Sequence, residues 1–190
     1  MILGHQKQWQ FLKGLIKLGN IPHAFLFSGP SEIGKKTLAM EFLKLLNCEK
    51  SKGFSCQNCR SCKDIEKKVH PDVRILEHQE KDINIDQIRE LKSYLSLSPH
   101  SAIFKSVIID QAHSLNRQAQ SALLKLLEEP KGKTIFILIT EYPEMLLDTI
   151  LSRCEILKFY LVSDKEIKDY LKNQKIPEKA QERLLSMSFG

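Results

Sequence analysis

Residues 29–37 read Gly-Pro-Ser-Glu-Ile-Gly-Lys-Lys-Thr. Gly29, four residues, then Gly34 and Lys35 is the spacing of a phosphate-binding loop. Its glycines let backbone N–H groups turn inward around phosphate oxygens, the helix that follows presents its positive N-terminus, and the lysine pairs with terminal phosphates. The pattern next calls for Ser or Thr as a Mg²⁺ ligand. Lys36 stands there instead, and Thr37 comes one residue late, turned about 100° around a helix from where the hydroxyl belongs. The alternative is a plain strand–turn–helix junction. Further on, Val107-Ile108-Ile109-Asp110-Gln111 resembles a Walker B strand, in which an apolar strand delivers an Asp toward Mg²⁺ and the next residue is a Glu that polarises water. Gln111 takes that place, and an amide has no useful basicity near neutral pH. Lys36 and Gln111 together remove metal placement and general base, so the pair points to a site that has lost turnover. Asp110 otherwise reads as a strand end that caps the next segment.

A different chemistry is written between these two segments. Cys48, Cys56, Cys59 and Cys62 have the spacing C-x7-C-x2-C-x2-C. Two-residue gaps let successive thiolates converge on one ion, and four thiolates suit a closed, non-catalytic zinc site. An iron–sulfur reading would need a further x3-Cys-Pro, which Ile65-Glu66-Lys67 does not supply. Free thiols are the remaining alternative. Cys154 lies far away in sequence, and His70 reads as a loop residue or substitute ligand.

These groups are held by alternating strands and helices. Apolar residues at helical spacing mark Trp9 to Ile16, stopped by Gly19. Strands are expected over Ala24–Phe27, Asp72–Leu76, Ser106–Asp110, Thr134–Thr140 and Glu155–Phe159. A helix is expected over Lys35–Asn47, another behind the capping box of Asn84 and Gln87, and a third behind Asn116, ended by Pro130. Ser163 with Glu166 opens a last helix. Strands separated by helices imply parallel pairing and an α/β fold with a five-stranded sheet. A boundary is placed at Val162, giving a core of residues 1–162 with an insertion at 48–62 and an incomplete helical segment at 163–190.

Composition bounds the class. The chain has 190 residues, 42% hydrophobic and 27% charged, enough apolar content for a packed core. The longest apolar run, Ile135 to Ile139, is five residues, far below the ~20 of a membrane span. No secretory h-region is visible, so a cytoplasmic location is expected and crowded cysteines read as metal ligands rather than disulfides. The net charge of +6 permits phosphate-bearing partners without requiring them.

Pro22-His23-Ala24-Phe25-Leu26-Phe27-Ser28-Gly29-Pro30, Gly34-Lys35-Lys36-Thr37, the four cysteines, Leu126-Leu127-Glu128-Glu129-Pro130, Thr140 and Ser152-Arg153-Cys154 form one ordered set. That set resembles bacterial clamp-loader subunits of the AAA+ class, the delta-prime/gamma group of the DNA polymerase III holoenzyme. The resemblance covers essentially the whole chain. The gamma/tau subunits keep Gly-Lys-Thr and Asp-Glu, so Lys36 and Gln111 place this chain on the delta-prime side. The resemblance implies an AAA+ P-loop core, a helical lid begun by 163–190, and a helical collar for assembly that this chain does not contain. It implies a degenerate site for ATP and Mg²⁺ (Gly29, Gly34, Lys35, Thr37, Asp110, and Thr140 as sensor 1). It implies structural zinc on Cys48, Cys56, Cys59 and Cys62. Arg153 resembles an arginine finger offered to a neighbour's ATP; by itself it would read as a surface salt-bridge residue. The implied partners are the gamma/tau and delta subunits, the sliding clamp and primer–template DNA, within a DNA-directed DNA polymerase (nucleotidyltransferase) holoenzyme. A gamma-like motor that hydrolyses ATP, and a zinc-dependent nucleic-acid-binding module, are the competing readings.

Overall fold

The computed structural model describes residues 4–50, 53–77 and 82–173. Five strands, β1 (Ala24–Ser28), β2 (Val73–Leu76), β3 (Lys105–Ile109), β4 (Thr134–Thr140) and β5 (Glu155–Lys158), form one sheet in the order β2-β3-β4-β1-β5. Every pairing is parallel. β1, β3 and β4 are buried along their whole length, which is why each carries a continuous apolar stretch (Ala24–Phe27, Val107–Ile109, Ile135–Ile139) rather than an alternating pattern.

Alternate residues of those strands feed two cores. Leu26, Val107, Ile109, Phe136 and Leu138 face α4 (Ile85–Ser96), α5 (Arg117–Glu128) and α6 (Asp148–Leu151). Phe25, Phe27, Ile108, Ile137 and Ile139 face α1 (Gln6–Leu18), α2 (Lys35–Asn47) and α3 (Arg60–Glu66). A three-layer α/β sandwich results. A final helix, α7 (Asp164–Asn173), follows β5. No helix among the described residues is long and apolar enough to cross a membrane.

The expected caps are present. The Asn84 side chain accepts from the Asp86 and Gln87 amides while Gln87 returns a bond to the Asn84 amide, and Asn116 accepts from Ala119 N at 2.9 Å. Ser163 and Glu166 make the reciprocal pair at the start of α7. The rest of the expected lid segment, 174–190, lies outside the described residues.

Asp72, just before β2, shows how a long loop is held. It is buried, and its carboxylate accepts from the backbone amides of His100, Ser101 and Ala102 at 2.7, 2.7 and 2.8 Å. Burial alone would raise its pKa; the three amides and neighbouring His70 outweigh that and hold it below the usual carboxylate value. A group with a depressed folded pKa contributes stability above its unfolded pKa of about 3.9, lost as pH falls through the folded value. Asp72→Ala is expected to cost about 3 kcal/mol in urea unfolding at neutral pH. Its stability should also fall less steeply with acid than that of the parent; an equally steep profile would assign the acid sensitivity elsewhere.

Candidate functional site: a phosphate cradle, a thiol cluster and an arginine at the far edge

Because the strands are parallel, the loops after β1, β3 and β4 all emerge at one edge of the sheet, where open α/β folds place their ligands. Strand order brings together there residues far apart in the chain. A cavity of about 350 Å³ is lined by Gly34, Lys35, Lys36 and Thr37 from the first loop, Asp110 and Gln111 from the second, and Thr140 and Glu141 from the third. Gly29 directly follows β1 and opens the first of these loops. A Cβ there would run into the Phe159 carbonyl, so no other residue fits. Gly34, with φ 93°, turns the chain into α2 in a conformation that L side chains rarely adopt.

Lys35 is buried, and its ammonium donates to the carbonyls of Gly29 (2.7 Å) and Pro30. Burial pushes its pKa down, opposed by the carboxylates of Glu141, Asp110 and Glu32. Lys36 does more than lack a hydroxyl. Its Nζ lies 2.8 Å from Asp110 Oδ2 and 2.8 Å from Glu77 Oε1, and Lys68 braces Glu77 from the other side at 3.0 Å. Burial works against the charge on Lys36, but pairing with Asp110 and Glu77 prevails and raises its pKa. An ammonium thus sits on the carboxylate that follows β3. Thr37 borders the cavity as an exposed hydroxyl, and Gln111 enters it from a left-handed backbone position, φ 51°. Thr140 is buried, its Oγ1 within 3.1 Å of His113 Nδ1 and accepting from Tyr142 N at 3.0 Å.

Sequence reading missed His113, Glu141 and Glu77. No motif marks them; they reach the cavity or its ion pairs only through strand order and loop geometry.

The four expected thiols converge. The Sγ atoms of Cys48, Cys56, Cys59 and Cys62 all lie within 4.8 Å of one another, close to the roughly 3.8 Å edge of a tetrahedron with 2.3 Å metal–sulfur bonds. Amides of Cys56, Cys59 and Cys62 donate to the sulfurs of Cys48, Cys56 and Cys59 at 3.4, 3.2 and 3.4 Å. Amides of Asn58 and Cys59 pull the Cys56 thiol down to about 6, favouring the thiolate a metal needs. This donor set fits a closed metal site. The short helix α3, absent from the sequence reading, begins inside the cluster with Cys59 as its cap. Buried Lys44 of α2 clasps the cluster's loop by pairing with Glu41 at 2.8 Å and with Glu66, while Glu41 accepts from Ser55 (3.2 Å) and Gln57 (3.0 Å). His70 is not drawn into the cluster; Nδ1 accepts from Asp72 N at 3.1 Å and Nε2 meets Ser61 Oγ at 3.3 Å. Cys154 packs on the core, where burial pushes its thiol up to about 12.

Arg153 is elsewhere. It precedes β5, so it stands at the edge of the sheet opposite the cavity. Its guanidinium pairs with Glu128 at 2.9 Å and donates to Thr149 O at 2.8 Å.

A family model described as DNA polymerase III, delta subunit, matches residues 4–163. The chain belongs to this family, within the delta-prime/gamma group of clamp-loader subunits. Relatives include the Bacillus subtilis DNA polymerase III subunit delta-prime, 36% identical over 167 residues, covering 88% of this chain and 51% of the relative. The Pseudomonas aeruginosa subunit delta-prime is 38% identical over 135 residues, 70% of this chain and 41% of the relative. A subunit gamma from Buchnera aphidicola is 35% identical over 172 residues, 90% and 47% of the two chains. The chain therefore spans about half the length of the curated relatives it matches. Among solved structures, a Thermotoga maritima DNA polymerase III gamma subunit-related protein has a TM-score of 0.60 at 22% identity, covering 95% of this chain and 58% of that one. The Thermotoga maritima RuvB branch-migration motor has a TM-score of 0.58 at 18% identity, covering 88% and 48%. At such identities the likeness is one of fold, and the fold is that of an AAA+ core.

Proposed function

We propose that this clamp-loader subunit acts as a delta-prime-like, non-hydrolysing AAA+ subunit. It would help load the sliding clamp onto primer–template DNA in the bacterial cytoplasm, assembled with gamma/tau and delta subunits in the polymerase holoenzyme. Residues 1–162 would form the core, with the zinc module at 48–62, and 163–190 would begin the lid. The observation that carries the reading is the Lys36–Asp110 ion pair. It sets a fixed cation where a Walker site holds Mg²⁺, beside a Gln111 that cannot serve as base. Gly29, Gly34, Lys35, Thr37 and Thr140 would hold the phosphates of any bound nucleotide. The position of Arg153 supports a role toward a neighbour: it lies across the sheet from its own cradle, so a phosphate it meets belongs to another chain. A guanidinium there offers planar donors to charge developing on the transferring phosphoryl group.

Because gamma and tau relatives are 34–35% identical, a working motor is the rival reading. Reconstituted loaders carrying Lys35→Ala in this subunit separate the two. Unchanged ATPase supports the proposal; lost ATPase supports the motor.

For the thiol cluster we assign zinc, which when bound supplies a cross-link and no chemistry. Full-length protein is expected to hold about one zinc per chain by elemental analysis, and Cys59→Ser to abolish it. Iron in place of zinc, or full metal content in the variant, would reject the assignment.

A further inference from the structure

We infer that Glu128 is a positioning residue for Arg153, holding the guanidinium ready at the subunit's edge and yielding it to a phosphate of the neighbouring subunit; this rests on the arginine-finger reading above.

Glu128 is the last residue of α5, where the helix end carries partial negative charge and a carboxylate is misplaced. Arg153 Nη2 meets it at 2.9 Å, which offsets that cost. From α6 and the turn after it Arg153 takes two further anchors, Nη1 donating to Thr149 O at 2.8 Å and to Ser152 Oγ at 3.3 Å. Three of the five guanidinium N–H groups are thereby engaged, which leaves donors over for a phosphate. The anchors come from α5, from α6 and from the turn that follows it. They fix a long, rotamer-rich side chain before any partner arrives, so its ordering is not charged to the encounter. Cys154, packed on the core next to Arg153, fixes the backbone beneath it. Both members of the ion pair are part-exposed, and an exposed pair is weak. A polyphosphate, carrying more charge and matching the planar fork, displaces the carboxylate.

The test uses loaders reconstituted from full-length subunits, with ATP turnover measured at saturating clamp and primed DNA. Glu128→Ala is expected to lower kcat about five-fold with KM for ATP unchanged, because the finger is less well placed rather than absent. Glu128→Gln keeps an acceptor and should lose less than about two-fold. In an Arg153→Ala background, Glu128→Ala should change nothing further. An Arg153→Ala loader that is crippled while Glu128→Ala is normal or faster overturns the positioning role alone. So does an equal loss from Glu128→Ala with and without Arg153. If Arg153→Ala itself leaves turnover intact, the finger reading fails, and the inference about Glu128 fails with it.

Discussion

A loader assembled with Arg153→Ala in this subunit is expected to lose ATP turnover at the adjoining site by about 10³-fold, the scale on which an arginine supplied in trans acts. Assembly should survive. The side chain is part-exposed at the sheet edge and none of the two apolar cores depends on it, so its removal leaves the packing of β5 and α6 untouched. Gel filtration of the mutant loader and its ATPase, measured on the same preparation, separate the two effects. Loss of assembly would make Arg153 an interface residue, and normal turnover would leave it as a surface ion pair with Glu128. Arg153→Lys should recover little, since an ammonium keeps the charge but not the planar fork.

The second large effect is expected at the cradle. Lys36→Thr removes the ammonium from Asp110 and puts a hydroxyl at the place that the loop pattern assigns to the metal ligand. Titration of the full-length variant with nucleotide should show affinity about ten-fold higher with Mg²⁺ than without it. The parent, whose Asp110 is already neutralised, should respond to Mg²⁺ little or not at all. Gln111→Glu alone should gain no turnover, because a base without a placed metal has no polarised water to act on. ATPase in that single variant, or a strong Mg²⁺ response in the parent, would show that Lys36 does not block the metal position. Glu77 holds Lys36 from the far side, and Glu77→Gln should loosen Lys36 without freeing Asp110.

What the residues themselves declared was local. The loop from Gly29 to Lys35, the cysteine gaps of two, the caps at Asn84 and Asn116 and the apolar strands are all relations between near neighbours, set by helix and strand periodicity and by the reach of one side chain to the next few amides. These could be read directly, and the five strands fall within a residue of expectation, whereas the first helix starts at Gln6, three residues before the expected Trp9, and the four-residue α6 was not expected at all. Helix α3 escaped because Arg60–Glu66 is short and polar, and is started by a cysteine rather than by a usual cap.

The relations that give the site its meaning are not local. Parallel strands in the order β2-β3-β4-β1-β5 bring the loops after Ser28, Ile109 and Thr140 to one edge and leave Arg153 at the other. From the chain alone Lys36 was a missing hydroxyl; in the fold it is a cation seated on Asp110 and Glu77, contacts made across separate strands. Glu128 likewise became a partner of Arg153 only when the end of α5 and the start of β5 met. Sequence determined which groups were available and which were lacking, because residue type and short-range spacing decide that. Tertiary structure decided which of them share a pocket and which face outward, because long-range pairing is set by how the sheet closes and not by any pattern along the chain.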